Sequence, residues 1–216
     1  MNSLEKFGNI PIDNAMLYEA IGSYKFPRNK VANMEKRGEL IRLKNGLFVV
    51  SPAISRTVLS KELIANHIYG PSYVSFETAL SFYGLIPEKV FAIRSATFRR
   101  AKIFENSLGQ FEYIVVPESY YSIGITIQTV NKQFVAEPEF SFLMASPAKA
   151  LCDIVLTTKY LFVKSKKSMQ RFLEEDLRID FSVLHIVDSE IIRQCANAGR
   201  RKKEMGFLAE LLENLY

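Results

Sequence analysis

The sequence predicts an α+β protein: a small N-terminal unit of helices closed by one hairpin, then a larger mixed unit with a mostly antiparallel sheet and C-terminal helices. Three observations carry this. Asn45-Gly46 separates two short apolar strands within an otherwise helical stretch. Between Val90 and Ala145 the hydrophobic period shortens to that of strands. Ser146-Pro147 then opens a run of amphipathic helices that continues to the C-terminus.

Each element has a local cause. Asp13 is placed to cap a helix over 15–21, with Leu17, Ala20 and Ile21 on one face and Gly22 as its stop. Pro27 suits the first turn of a second helix reaching Arg37 and closed by Gly38, with Val31, Met34 and Ala32 turned inward. Leu40 to Leu43 and Leu47 to Val50 read as strands, and Asn45-Gly46 between them predicts a type I′ turn, in which both central residues need positive φ. Pro52 ends this unit, so the predicted boundary divides the chain into 1–52 and 53–216, the second part holding enough strands and helices to fold alone.

Beyond it, Leu59, Leu63, Ile64 and Ile68 keep a helical period, and Ser75 can cap a helix that Gly84 stops. Strands are expected at 90–93, 111–116, 123–130 and 140–144, with breaks at 106–109, 117–119 and Glu137-Pro138. Ser146 and Pro147 form a cap and first turn for a helix burying Ala148, Leu151, Cys152, Val155 and Leu156. The last helix should bury Met205, Leu208, Ala209, Leu212 and Leu215.

Bulk properties narrow the function classes. The 216 residues are 48% hydrophobic and 24% charged, a globular balance with 26 Phe and Tyr for a core. Two cysteines, Cys152 and Cys195, make no disulfide framework or metal spacing and point to a reducing compartment. Met1 to Ile10 lacks the apolar core of a secretory signal, and no apolar run reaches the ~18 residues of a membrane span. A cytoplasmic protein is expected. The net charge of +5 favours polyanionic partners.

Helix, turn, helix and hairpin, in that order, is the plan of a winged helix-turn-helix, whose second helix enters the major groove of duplex DNA. The outward candidates on that helix are Arg28, Asn29, Lys30, Asn33, Lys36 and Arg37. Arg and Lys neutralise phosphates, and Arg and Asn can pair bidentately with guanine and adenine edges. Arg42, Lys44 and Asn45 fall on the wing, where phosphate contacts are usual. A second basic group, Arg94, Arg99, Arg100 and Lys102, has no acid between Lys89 and Phe104 and is a candidate contact for an acidic partner or nucleic acid. Lys164, Lys166, Lys167 and Arg171, and the run Arg200 to Lys203, read as solvated loops.

No catalytic constellation is visible. His67 and His185 are isolated, there is no phosphate-binding glycine loop or zinc-ligand pattern, and Glu174-Glu175-Asp176 diverge on a helix. Glu112 on an apolar strand resembles part of a nuclease motif whose Glu-x-Lys partner is missing. No catalytic residue, metal or cofactor is therefore expected.

Several phrases, taken in order, resemble one family. They are Tyr69-Gly70-Pro71-Ser72-Tyr73-Val74-Ser75 with Glu77 and Ala79-Leu80; Tyr83-Gly84-Leu85-Ile86-Pro87-Glu88; Ala96-Thr97; Gly109 to Tyr113; and Ala145 to Asp153. Together they resemble the AbiEi-type antitoxins of type IV abortive-infection systems. The resemblance implies an N-terminal domain that represses its own operon at inverted repeats. It also implies a C-terminal antitoxin domain that counteracts a co-encoded nucleotidyltransferase-like toxin. Three classes stay open at this point: a repressor-antitoxin, a winged-helix transcription factor without a toxin partner, and a DNA-targeted nuclease.

Overall fold

The computed structural model describes residues 4–88, 90–130 and 140–213. Two sheets organise the mixed α+β chain. The first has three antiparallel strands, and the second has six.

The N-terminal elements follow their sequence signals closely. Strand β1 (Ile12–Asp13) leads into helix α1 (Asn14–Ile21), where the Asp13 carboxylate accepts from the Met16 N–H at 2.9 Å. This satisfies one of the donors a helix start leaves free. Helix α2 (Pro27–Lys36) begins on its proline and is followed by β2 (Leu40–Lys44) and β3 (Leu47–Val50). β1 pairs with β3, so the hairpin gains a third strand. Ile12, Leu17, Val31, Met34, Leu40, Phe48 and Val50 form a small core of their own. Ala32, expected to face inward, is exposed, because Val31 and Met34 alone set the buried stripe.

The hairpin turn departs from expectation. Only Gly46 has positive φ, at 75°, and Asn45 does not, so the turn is not type I′. Instead the pairing slips between Arg42 and Lys44, a β-bulge. Strand alternation divides the hairpin between two cores, and the bulge puts Lys44 on the same side as Leu43. Leu40, Phe48 and Val50 face the small core, whereas Leu43 and Val49 are buried in the large one, with Ile41 and Leu47 packed against it. The Lys44 ammonium follows Leu43 and donates to the Ile68 carbonyl, and Asn106 Nδ2 donates to the Leu43 carbonyl at 3.0 Å. The boundary expected at residue 52 leaves the whole three-stranded sheet in the first part, while Leu43 and Val49 of that sheet lie in the core of the second.

Short helix α3 (Pro52–Ser55) and helix α4 (Lys61–Ile68), capped by Ser60, lead to the larger sheet. Its strands are β4 (Tyr73–Val74), β5 (Ile93–Thr97), β6 (Lys102–Asn106), β7 (Gly109–Val115), β8 (Ile125–Val130) and β9 (Phe140–Ala145), in the order β6-β7-β5-β4-β9-β8. The sheet is mostly antiparallel, as expected, but not wholly so. Three pairings are antiparallel, but β5–β7 and β4–β9 are parallel. β4 has only two residues, too short to show an alternating pattern, yet it holds the centre of the sheet. Beyond its end the Asn66 side chain takes over, accepting from Leu143 N–H at 2.6 Å and donating to its carbonyl at 3.3 Å. The expected break at Glu137-Pro138 lies outside the described residues.

Helices α5 (Phe76–Phe82), α6 (Glu118–Tyr121), α7 (Pro147–Thr157), α8 (Lys166–Arg171), α9 (Ser189–Ala198) and α10 (Lys202–Glu213) complete the fold. Ser146 caps α7, accepting from Lys149 N–H at 3.2 Å. Met205, Leu208, Ala209 and Leu212 are buried on α10 as expected, and Leu215 lies outside the described residues.

Gly124 sits beneath that cap. Its φ is 65°, and a Cβ there would meet Ile191 Cγ2 at 2.8 Å and Lys149 Cβ at 3.0 Å. Gly22 has a similar φ of 75° but open space around it. Gly22→Ala should therefore carry only a backbone cost, about 1–3 kcal/mol, because its φ of 75° with ψ of −162° lies in a region essentially confined to glycine. Gly124→Ala should exceed it by about 1–3 kcal/mol of overpacking. Equal urea midpoints for the two variants would contradict this account.

Candidate nucleic-acid interface

Exposure divides the nine candidate residues of the N-terminal unit. Arg28, Asn29, Asn33, Lys36 and Arg37 of α2 and its C-terminal end are exposed, as is Asn45 at the turn. Lys30 is half-buried, its ammonium 4.9 Å from the centre of the Tyr24 ring. Arg37 pairs with Glu39 at 2.9 Å. Arg42 grips Glu35 through two hydrogen bonds, at 2.8 and 2.6 Å, and lies over the Phe48 ring. The Arg42 hydrogen bonds hold the Glu35 carboxyl below its ordinary range, against a smaller opposing effect of burial.

Lys44 does not reach the outer wing. Its ammonium is committed to the Ile68 carbonyl and stands 6.0 Å from the Phe104 ring centre. The β-bulge turns it toward the large core. Lys44→Ala should accordingly weaken the joint between the two units, lowering the thermal midpoint, and leave the salt dependence of DNA binding unchanged. A salt slope flatter by about one unit would return Lys44 to the interface.

Arg28, Arg42 and Asn45 converge on a cavity of about 410 Å³ between α1, α2 and the hairpin tip. Asn14 and Tyr18 of α1 line it too. Neither stood out in the sequence, since they belong to no basic run. Gly46 is part of this closure, because a Cβ there would meet Asn14 Nδ2 at 3.2 Å.

The second basic group is dispersed by the fold. Arg94 is half-buried between Glu77 of α5, to which its Nη1 donates, and Glu112 of β7, whose Oε2 lies 3.3 Å from Nε without hydrogen-bond alignment. Sequence neighbours gave no acid, but the parallel register puts Arg94 opposite Glu112. The same ion pair occupies the carboxylate that resembled a nuclease residue. Arg99 and Arg100 are exposed on the turn before β6, and the Lys102 ammonium lies 5.2 Å from the Tyr69 ring centre.

A buried polar cluster was not foreseen at all. Tyr73, Ser75, Tyr120, Lys149 and Asp153 are all 0% exposed. Asp153 accepts from Ser75 Oγ at 2.5 Å, Tyr120 OH at 2.7 Å and Tyr73 OH at 3.4 Å. Lys149 Nζ lies 3.6 Å from Asp153 Oδ1, donates to the Tyr120 carbonyl at 2.8 Å and covers the Tyr120 ring. Burial pushes the Asp153 carboxyl up and the Lys149 ammonium down from their ordinary values. Ser75, expected as the α5 cap, makes no capping bond and serves Asp153 instead. Phe76 follows at φ 56°. Fully buried, this cluster ties β4, α6 and α7 together.

Among the described residues no three His, Cys, Asp or Glu side chains gather as metal ligands, and no helix is long and apolar enough to cross a membrane. The two histidines bond locally, His67 Nδ1 to the Leu63 carbonyl and His185 Nδ1 to that of Ser182. Compared with protein-family models and with curated proteins, the chain matches none of either.

Proposed function

We propose that the chain is a duplex-DNA-binding regulator whose N-terminal unit acts as a winged helix-turn-helix, with α2 as the recognition helix. One observation carries the reading. α2 buries Val31 and Met34 and turns Arg28, Asn29, Asn33 and Lys36 to solvent beside a hairpin that a third strand braces. Ten residues span about 15 Å, enough to lay one basic face along a major groove. Arg28 and Asn33 are the base-reading candidates, and Lys36 is a phosphate contact. Arg37 and Arg42, each already paired with a glutamate, are secondary.

On the resemblance of residues 69–153, the proposal extends to an antitoxin that represses its own operon at inverted repeats and counteracts a co-encoded nucleotidyltransferase-like toxin. The chain is proposed to lack catalytic turnover and to act in the cytoplasm.

The test is a gel-shift titration on the DNA upstream of the protein's own gene. Arg28→Ala and Asn33→Ala should each cost about 1–3 kcal/mol on the specific site and little on unrelated duplex. Lys36→Ala should weaken both alike and flatten the salt slope by about one unit. Unchanged affinity of the Arg28→Ala/Asn33→Ala double variant would reject α2 as the recognition helix. Growth rescue with the neighbouring gene induced tests the antitoxin extension separately.

A further inference from the structure

Most arginines outside α2 and the Arg99–Arg100 turn are matched by an acid: Arg94, Arg178 and Arg193 each hold a glutamate. One surface of the larger unit is built differently. The loop after α7 and the start of α8 carry Lys159, Lys164, Lys166 and Lys167, with no acid in the sequence between Asp153 and Glu174. The α9–α10 junction carries Arg200, Lys202 and Lys203, with no acid between Glu190 and Glu204. None of these seven cations is ion-paired among the described residues. The fold joins the two runs. Arg201 Nη2 donates to the Thr158 carbonyl at 2.7 Å, and α10 packs on α8. Tyr160 and Arg201 both hold left-handed backbone, with φ of 55° and 62°. Such backbone is unfavourable for an ordinary residue and is kept where its surroundings impose it.

Within this cationic surface stand two aromatic rings, Tyr160 at 86% and Phe162 at 80% exposure. Val163, next in the chain, is buried and anchors the loop, so the rings are displayed from a fixed base. Unpaired cations around exposed aromatic rings are the arrangement that tracks a phosphate backbone while stacking on bases. Stacking needs a base with a free face, which a single strand offers and a duplex covers. An anionic membrane would also attract the lysines. However, the groove of about 470 Å³ that Tyr160 and Phe162 line is also lined by Glu175 and Asp176. Pressing those carboxylates toward apolar lipid is costly, whereas beside a nucleic acid they can accept from base amino groups.

We propose that the loop from Thr158 to Lys167, with Arg200, Lys202 and Lys203, binds single-stranded nucleic acid. This surface shares no residue with α2, so it stands or falls independently of the duplex-binding reading. Fluorescence anisotropy of the full-length protein with labelled 12-nucleotide oligo(dT) and oligo(U) tests it, the two probes separating DNA from RNA. Binding should be evident at low salt, and Tyr160→Ala/Phe162→Ala should weaken it at least about tenfold, in line with the loss of base stacking. Lys166→Gln/Lys167→Gln should flatten the salt slope by about 1.4 units, as expected for two phosphate contacts on a single strand. Arg28→Ala/Asn33→Ala should leave it unchanged. No oligonucleotide binding at 50 mM salt, equal binding by the aromatic variant, or loss only in the α2 variant would overturn the proposal. So would binding to phosphatidylglycerol vesicles that depends on Tyr160 and Phe162 while both oligonucleotides fail to bind.

Discussion

Lys149→Met should destabilise the native state by about 3–5 kcal/mol, because it leaves the Asp153 carboxylate buried without its cation. Asp153 would keep three hydroxyl donors, which lessen but do not replace the lost charge. Lys149→Met/Asp153→Asn removes both charges and should recover a large part of the loss, since replacing a whole buried ion pair with neutral groups is often close to neutral. The pH dependence gives a second readout. Burial raises the folded Asp153 carboxyl above its unfolded value, so the native state holds that proton more tightly. Its contribution is greatest below the unfolded carboxylate range near pH 3.9 and falls as pH rises through the folded value. Without Lys149 the carboxyl is pushed up further, so the Lys149→Met deficit should be smaller at pH 5 than at pH 8. Urea unfolding at both pH values measures this. A single variant within about 1 kcal/mol of the parent, with no pH trend, would mean that the pair does not hold the core.

That cluster shows where the sequence stopped being legible. Local signals sufficed for the helix starts: Asp13, Pro27 and Ser146-Pro147 each act within four residues, and each begins the helix expected of it. The two-stranded hairpin and the buried stripe of α10 were legible for the same reason. Long-range pairing was not. Ser75 meets Asp153 across 78 residues, and Arg94 meets Glu112 only through a parallel register that no local pattern encodes. The acid-free stretch around Arg94 therefore looked like one cationic patch, although Arg94 is neutralised and only Arg99, Arg100 and Lys102 stay exposed. Conversely, the lysines after α7 and the arginines before α10 read as separate loops, and the packing of α10 on α8, with the Arg201 hydrogen bond to Thr158, brings them together. For the candidate interface, residue type and spacing singled out Arg28, Asn33 and Lys36. The bulge that withdraws Lys44, and the contribution of Asn14 and Tyr18 from α1, depend on packing.

A fragment beginning at residue 53 should lose much of the stability of the full chain, against the expectation from sequence that it folds alone. Deleting the N-terminal unit removes Leu43 and Val49 from the large core, where they are 2% and 0% exposed. Each buried aliphatic side chain contributes about 1.5–3 kcal/mol. The loss is therefore about 3–6 kcal/mol before the Asn106 and Lys44 hydrogen bonds are counted, against a typical total of 5–15. The bared surface, where Ile68 and Phe104 lie, would also favour aggregation. Leu43→Ala and Phe48→Ala in the full chain sample the two faces of the shared sheet. Both should lower one common unfolding transition, by about 2–5 kcal/mol each. If the sheet were not shared, Phe48→Ala would split the melt into two steps and the 53–216 fragment would unfold at the midpoint of the full chain. The proposed DNA-binding and antitoxin activities are consequently best separated by the Arg28→Ala/Asn33→Ala substitutions in the intact protein, because truncation at residue 53 would remove one activity by deletion and the other by unfolding.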